Sequence, residues 1–195
     1  MDQTRQLRSL EVEFDDAQAW AHRLVDGLSE EHWLQRSDPN RWSVGEQILH
    51  LNLTSRAYLP RLRAGLAEAR ERGLRTKGRY RRDFMGWLLG RMTEPPVRMK
   101  VKTTAPFIPK DLQPKPEAMR DFDALQDDLR AVVREAAGLA LGKVKFVSPF
   151  DPRIKYNVYS ALRVTAAHQR HHLWLGDRVV EGLGVAVQEA AGQKR

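Results

Sequence analysis

The sequence predicts an all-α protein, a four-helix bundle with a long irregular connection between the second and third long helices. Three observations predict it. Apolar residues recur in steps of three and four over four long segments, the period of an amphipathic helix. Glycine and proline cluster between the second and third of these segments. The chain has 195 residues and is 42% hydrophobic, enough for one core, so we expect a single domain over residues 1–195.

The first long helix is predicted to begin at Thr4, a residue type that caps helices. We expect it to end within residues 27–31, after an apolar stripe made of Leu7, Leu10, Phe14, Ala17, Ala21, Leu24 and Leu28. Residues 37–40 read Ser-Asp-Pro-Asn, which favours a turn before the next helix.

A capping box begins the second long helix, with Ser43 as the cap and Glu46 three residues later. The helix is expected to reach about Arg72, with Pro60 kinking it or ending its first half. Its stripe consists of Val44, Ile48, Leu51, Tyr58 and Leu62. His50 projects away from that stripe, towards a polar internal cavity or towards water.

The connection over residues 73–116 contains four glycines and six prolines. Within it, residues 83–92 fit a short extra helix, whose buried side we expect to be Phe84, Trp87, Leu88 and Met92. Residues 104–116 are expected to be extended, because a residue before proline avoids the α region. So long a connection in a compact domain is either functional or packed over the core.

The third long helix is predicted from Glu117 to about Leu139, and the fourth from Tyr156 or Asn157 to Gly182 or Gly184. An irregular crossing over residues 144–153 joins them. The third helix has one clear apolar face, made of Ala118, Phe122, Leu125, Leu129, Val132, Ala136 and Leu139.

Three of the six histidines lie within five positions of the fourth helix. His168 and His172 are four apart, so they share a face and can reach one metal ion, and His171 could replace His172. We expect this face to point inward, because its other members are apolar: Ala161, Val164, Leu175 and Val179. The alternative is a pair of core histidines satisfied by hydrogen bonds. Zinc-like metals usually need three protein ligands, so a metal site requires a third from elsewhere.

The composition limits which atoms could hold a metal and where the protein is expected to be located. The chain has no cysteine, so any metal is held by nitrogen and oxygen ligands. The N-terminus is charged and no run of 18 apolar residues occurs, so we expect a cytoplasmic protein without a membrane partner.

Ten basic residues lie between Arg56 and Arg82 against two acidic ones, a net charge equal to the +8 of the whole chain. Such a stretch is the footprint of nucleic acid or of an anionic small ligand, or it is a solvated helix face. No groove-reading motif or aromatic interleaving accompanies it, so we favour the solvated face and expect no nucleic-acid partner. The acidic N-terminal part, residues 1–40, is expected to lie opposite it.

Four amphipathic helices, a histidine at the end of WSVGEQILH and the run HQRHHLW together resemble the DinB-like (DinB/YfiT-like) superfamily. The resemblance covers nearly the whole chain. It implies a divalent metal held by one histidine of the second helix and two of the fourth, which here are His50, His168 and His172. His171 is then a neighbour or a substitute ligand. Glu46 is a candidate for orienting an imidazole, besides its capping role.

The resemblance further implies a metal-dependent enzyme acting on a small-molecule substrate, either a hydrolase or a thiol S-transferase. Zinc, nickel or iron would keep an open position for water or a low-molecular-weight thiol. The alternative is a bundle that binds metal without catalysis and serves as a dimeric interaction module. Family members often look dimeric, so we expect a homodimer, whose interface would suit exposed Trp33, Trp87 or Trp174.

Overall fold

Four long helices form a bundle in the computed structural model, which describes residues 2–96 and 103–185. The helices of this part of the chain are α1 (Gln3–Asp26), α2 (Glu30–Leu34), α3 (Val44–Glu71), α4 (Phe84–Thr93), α5 (Lys115–Glu135) and α6 (Val158–Leu183). The long helices α1 and α3 each pack against both α5 and α6. The predicted all-α class and the bundle are confirmed, and α4 is the short extra helix in the connection.

The helix ends agree with the sequence signals in two of the four long helices, α3 and α6, while α5 begins two residues before the predicted Glu117 and ends at Glu135 rather than near Leu139. The capping box of α3 is present, with Glu46 N–H donating to Ser43 Oγ at 3.2 Å and Ser43 N–H to Glu46 Oε2 at 2.8 Å. Asn157 caps α6, and Gly184 ends it in the left-handed region at φ +68°. For α1 the predicted cap is wrong: Asp2, not Thr4, accepts the N–H of the first turn.

Helix α3 continues through Pro60 to Glu71, so the prediction that its first half ends there is wrong. Proline removes the hydrogen bond to the carbonyl four residues earlier, which belongs to Arg56. Both residues are exposed. Water can therefore satisfy that carbonyl, and the helix is kept by packing on its opposite face.

The predicted buried face of α4 is wrong. Phe84, Trp87 and Met92 are 72%, 45% and 40% exposed. The helix instead packs against α6 through Gly86, where a Cβ atom would lie 2.1 Å from Ser160 Cβ. Glycine permits this close approach, so the small face of α4 lies inward and its aromatic face remains outside.

Two features of the connections were not predicted. Residues 144–153, expected to be irregular, contain β1 (Lys145–Val147), which pairs antiparallel with β2 (Lys155–Asn157). Strands of three residues are too short to show an alternating pattern. Helix α2 is also new, and it buries Trp33 completely, so the suggestion that Trp33 belongs to an exposed interface is wrong.

The helical half of the basic stretch pairs with α5 rather than with the acidic N-terminal part. Three arginines of α3 and three acids of α5 follow the same seven-residue spacing, in the pairs Arg56–Asp121, Arg63–Asp128 and Arg70–Glu135. The acids of α1 pair instead with arginines of α5 and α6. The expected placement opposite residues 1–40 is therefore wrong for this half.

Among the residues that the structure describes, none of the helices combines the length and the apolar character needed to cross a bilayer.

Candidate metal centre

Three histidines from two helices converge at one point of the bundle. His50 comes from α3, and His168 and His172 come from adjacent turns of α6. One ring nitrogen of each lies within 4.8 Å of the others. The three ring centroids are separated by 4.3 to 5.2 Å. The structure thus brings together the pair predicted from its spacing and the third histidine implied by the resemblance.

The separation of two of these nitrogens matches a shared metal ion. His50 Nε2 and His168 Nε2 are 3.3 Å apart. Two imidazole nitrogens that bind one tetrahedral zinc at about 2.0–2.1 Å are separated by roughly 3.3–3.4 Å. The donor set is therefore positioned to bind a metal ion with little rearrangement of these two rings.

Hydrogen bonds on the far side of two rings set their tautomers. His50 Nδ1 donates to the carbonyl of Phe107 at 2.7 Å, and His172 Nδ1 donates to Gln47 Oε1 at 2.6 Å. Both acceptors are carbonyl oxygens, so each Nδ1 carries the proton. The Nε2 atoms of His50 and His172 are then unprotonated, and each has the lone pair that a metal ion would bind.

Burial keeps the three imidazoles neutral. Desolvation lowers the pKa of His50 to about 4, although its hydrogen bond to Phe107 acts in the other direction. Desolvation and the neighbouring imidazoles place the pKa values of His168 and His172 well below the ordinary range. Neutral imidazole is the form that binds metals, so the site is ready for a cation at pH 7.

Aromatic side chains surround the histidines. Trp42 lies 5.0 Å from the ring of His50 and stacks on His172 at 6.2 Å. Phe150 lies 5.8 Å from the ring of His168 and packs on Phe107 at 4.4 Å. Phe107 belongs to a short 3-10 helix, Ala105–Phe107, so the prediction that residues 104–116 are extended is wrong for that turn. The connection packs over the core there and also contributes to the site. His168 is only partly buried, so solvent reaches the cluster on its side.

The two other predicted site residues lie beside the cluster. The carboxylate of Glu46 accepts from Ser43 N–H and from the guanidinium of Arg36, which is its capping role together with an ion pair. Orientation of His172 comes from Gln47, one residue later. The ring of His171 meets His172 edge-on, with centroids 4.8 Å apart, and His171 is not one of the three histidines that converge.

Sequence reasoning missed Gln47, Phe107 and Trp42. Gln47 precedes His50 by three residues, so it lies on the same face of α3, a spacing that could have identified it. Phe107 contributes a backbone carbonyl from 57 residues away, and no sequence pattern marks such a contact. Trp42 lies just before the cap of α3, where only the docking of α6 brings it next to His172.

The fold and the site together define a helical bundle with a candidate histidine metal centre on two of its helices. The chain belongs to the DinB superfamily, whose family profile matches residues 13–175. That range contains all three converging histidines. Neither the curated proteins nor the solved structures contain a match to this chain.

Replacing Gln47 with leucine is expected to weaken zinc binding by roughly 10- to 100-fold. The substitution removes the acceptor that holds His172 in its Nδ1–H tautomer. Competition with a chromogenic chelator would measure the zinc affinity. The matched control is Gln126→Leu, because Gln126 is equally buried on α5 and lies outside the site. Equal affinities for the two variants would contradict a role for Gln47.

Proposed function

We propose that this protein is a divalent-metal-dependent enzyme acting on a small molecule, with the ion held by His50, His168 and His172. One observation carries the proposal: three imidazoles from two helices converge, and two of them have Nδ1 hydrogen-bonded to a carbonyl oxygen elsewhere. Core histidines satisfied by hydrogen bonds would not need three nitrogens directed at one point.

Zinc, nickel and iron are the candidates, since imidazole ligands without thiolate suit all three. When bound, such an ion supplies a Lewis acid whose open position lowers the pKa of a water or a thiol. Three neutral ligands leave the positive charge of the ion uncompensated.

The aromatic residues of the site shield the imidazoles from water. Trp42 and Phe150 form apolar walls beside the imidazoles, which limits water and strengthens electrostatic interactions within the site. His168 is the ligand that solvent can reach, so a small substrate would enter on its side. These features support hydrolysis or transfer of a low-molecular-weight thiol, the two activities implied by the family resemblance. The small-molecule substrate and the low-molecular-weight thiol are both proposed on the basis of that resemblance.

The proposed enzyme needs an open coordination position on its metal ion. The alternative, a metal-binding bundle that serves as a dimeric interaction module, does not. Cobalt(II) substituted into the protein reports its ligands through its visible spectrum. We expect 2-mercaptoethanol to shift that spectrum and to saturate at one thiol per cobalt, because a fourth ligand can enter.

The companion assay is turnover of a p-nitrophenyl ester, and of a thiol with an aryl halide, by protein loaded with zinc, nickel or iron. Apoprotein and His172→Ala are the controls. A cobalt spectrum that no thiol alters, together with no turnover, would favour the interaction module.

A further inference from the structure

A cavity of about 700 Å³ lies between α1, residues 79–83, α4 and α6. This volume falls in the range of small-molecule sites, roughly 300–1,000 Å³. The side chains that matter for its chemistry are Arg79, Arg81, Arg82, Phe84, Trp87 and Arg163.

The cavity is separate from the histidine cluster. On α6 its lining residues are Tyr159 and Arg163, while the metal centre uses His168 and His172. At about 100° per residue, Tyr159 lies on the opposite side of α6 from His168, and Arg163 is roughly 140° away from it. One helix therefore presents different faces to the two sites.

The loop that forms one wall is held in place by side chains of other elements. Gln6 bonds both the N–H and the carbonyl of Tyr80, at 2.7 and 3.0 Å. Asn157 Nδ2 donates to the carbonyl of Arg81 at 3.1 Å, and Asp83 N–H donates to Ser160 Oγ at 3.2 Å. The backbone is thus fixed before any ligand arrives, which reduces the entropy lost on binding.

Four arginines and one acid, Asp83, line the cavity, so its net charge is positive. Arg79, Arg81 and Arg82 are exposed, and within residues 2–96 and 103–185 the salt bridges include none of the three. Arg163 differs, because it pairs with Glu13. The carboxylate of Asp83 accepts hydrogen bonds from Gly86 N–H, Asn157 N–H and Ser160 Oγ. Three guanidinium groups are therefore free to bind an anion.

Two aromatic rings lie beside these guanidinium groups. Phe84 is 72% exposed and Trp87 is 45% exposed, with ring centroids 6.1 Å apart. Exposed aromatic rings on one helix face can stack on a planar ring of a ligand. The combination selects a molecule with an anionic end and an aromatic end.

We propose that this cavity binds a small organic phosphate carrying an aromatic ring, of the size and chemistry of a nucleoside monophosphate. Arg79, Arg81 and Arg82 would bind the phosphate, since a dianionic phosphate matches several guanidinium groups better than a single carboxylate does. Phe84 and Trp87 would stack on the base. The site is independent of the proposed metal-dependent activity.

The test is isothermal titration calorimetry of the full chain with adenosine 5′-monophosphate, adenosine and inorganic phosphate. We expect one saturable site for the nucleotide and weaker binding of either half alone. Arg79→Gln/Arg82→Gln should weaken nucleotide binding at least about tenfold, because two charge-assisted contacts are lost. Trp87→Ala should lower the affinity for the nucleotide by about fivefold or more and leave the affinity for inorganic phosphate unchanged.

The matched control is Arg61→Gln/Arg120→Gln, which removes the same charge from exposed positions outside the cavity. It should change nucleotide affinity less than twofold. No saturable binding at roughly 1 mM nucleotide would overturn the proposal. So would equal affinities for nucleotide and inorganic phosphate, which would leave only an anion site. Tight, steeply salt-dependent binding of a single-stranded oligonucleotide without nucleotide binding would replace the cavity ligand with a nucleic-acid partner.

Discussion

Replacing His168 with alanine is expected to remove the metal from this protein. The substitution leaves two imidazole ligands where a stable site needs three, and it opens the cluster on the side that solvent already reaches. Wild-type protein purified without an affinity tag or chelator should contain about one divalent ion per chain, and the variant less than about a tenth of that. Elemental analysis by plasma mass spectrometry measures both.

The control for this experiment is His32→Ala. His32 lies on α2 and is not one of the converging histidines, so its loss should leave the metal content unchanged. Helical circular dichroism of both variants would check that the bundle remains folded. Retention of metal by His168→Ala would refute the site. Absence of metal from both proteins, even after addition of zinc, nickel or manganese, would leave the three histidines as core residues.

Replacing Trp33 with alanine is expected to lower the free energy of unfolding by about 3–5 kcal/mol. Trp33 is completely buried, and its Nε1 donates to the carbonyl of Gln113 at 3.3 Å. A Cβ atom on Gly45 would lie only 2.8 Å from its ring, so the start of α3 packs directly on the indole. Truncation would leave a cavity that this backbone cannot fill. Urea unfolding followed by circular dichroism measures the loss.

The same substitution at Trp87 is the matched control. That indole is 45% exposed, and Trp87→Ala should change the free energy of unfolding by less than about 1 kcal/mol. Trp33→Phe, which keeps most of the buried apolar volume, should fall between the two. Similar losses for Trp33→Ala and Trp87→Ala would show that the burial described for these two residues is wrong.

Much of the bundle could be predicted from local patterns. The apolar period located the four long helices, and the capping box placed the start of α3 at the residue where the structure has it. The spacing of His168 and His172 put both on one face of α6 because helix geometry is local. His50 differs: the residues alone left it facing a cavity or water, and only the resemblance to the DinB-like superfamily paired it with the other two.

By itself the sequence determined the four long helices, their inward faces and the histidine pair, since these follow from hydrogen bonds and periodic burial within a few residues. The tertiary structure alone decided that Gly86 rather than Trp87 lies against α6, that Gln47 orients His172, and that Phe107 orients His50. The last two contacts join residues 125 and 57 positions apart. Such contacts depend on how closely the helices dock and on where a connection crosses them. Local sequence periodicity predicts neither of these.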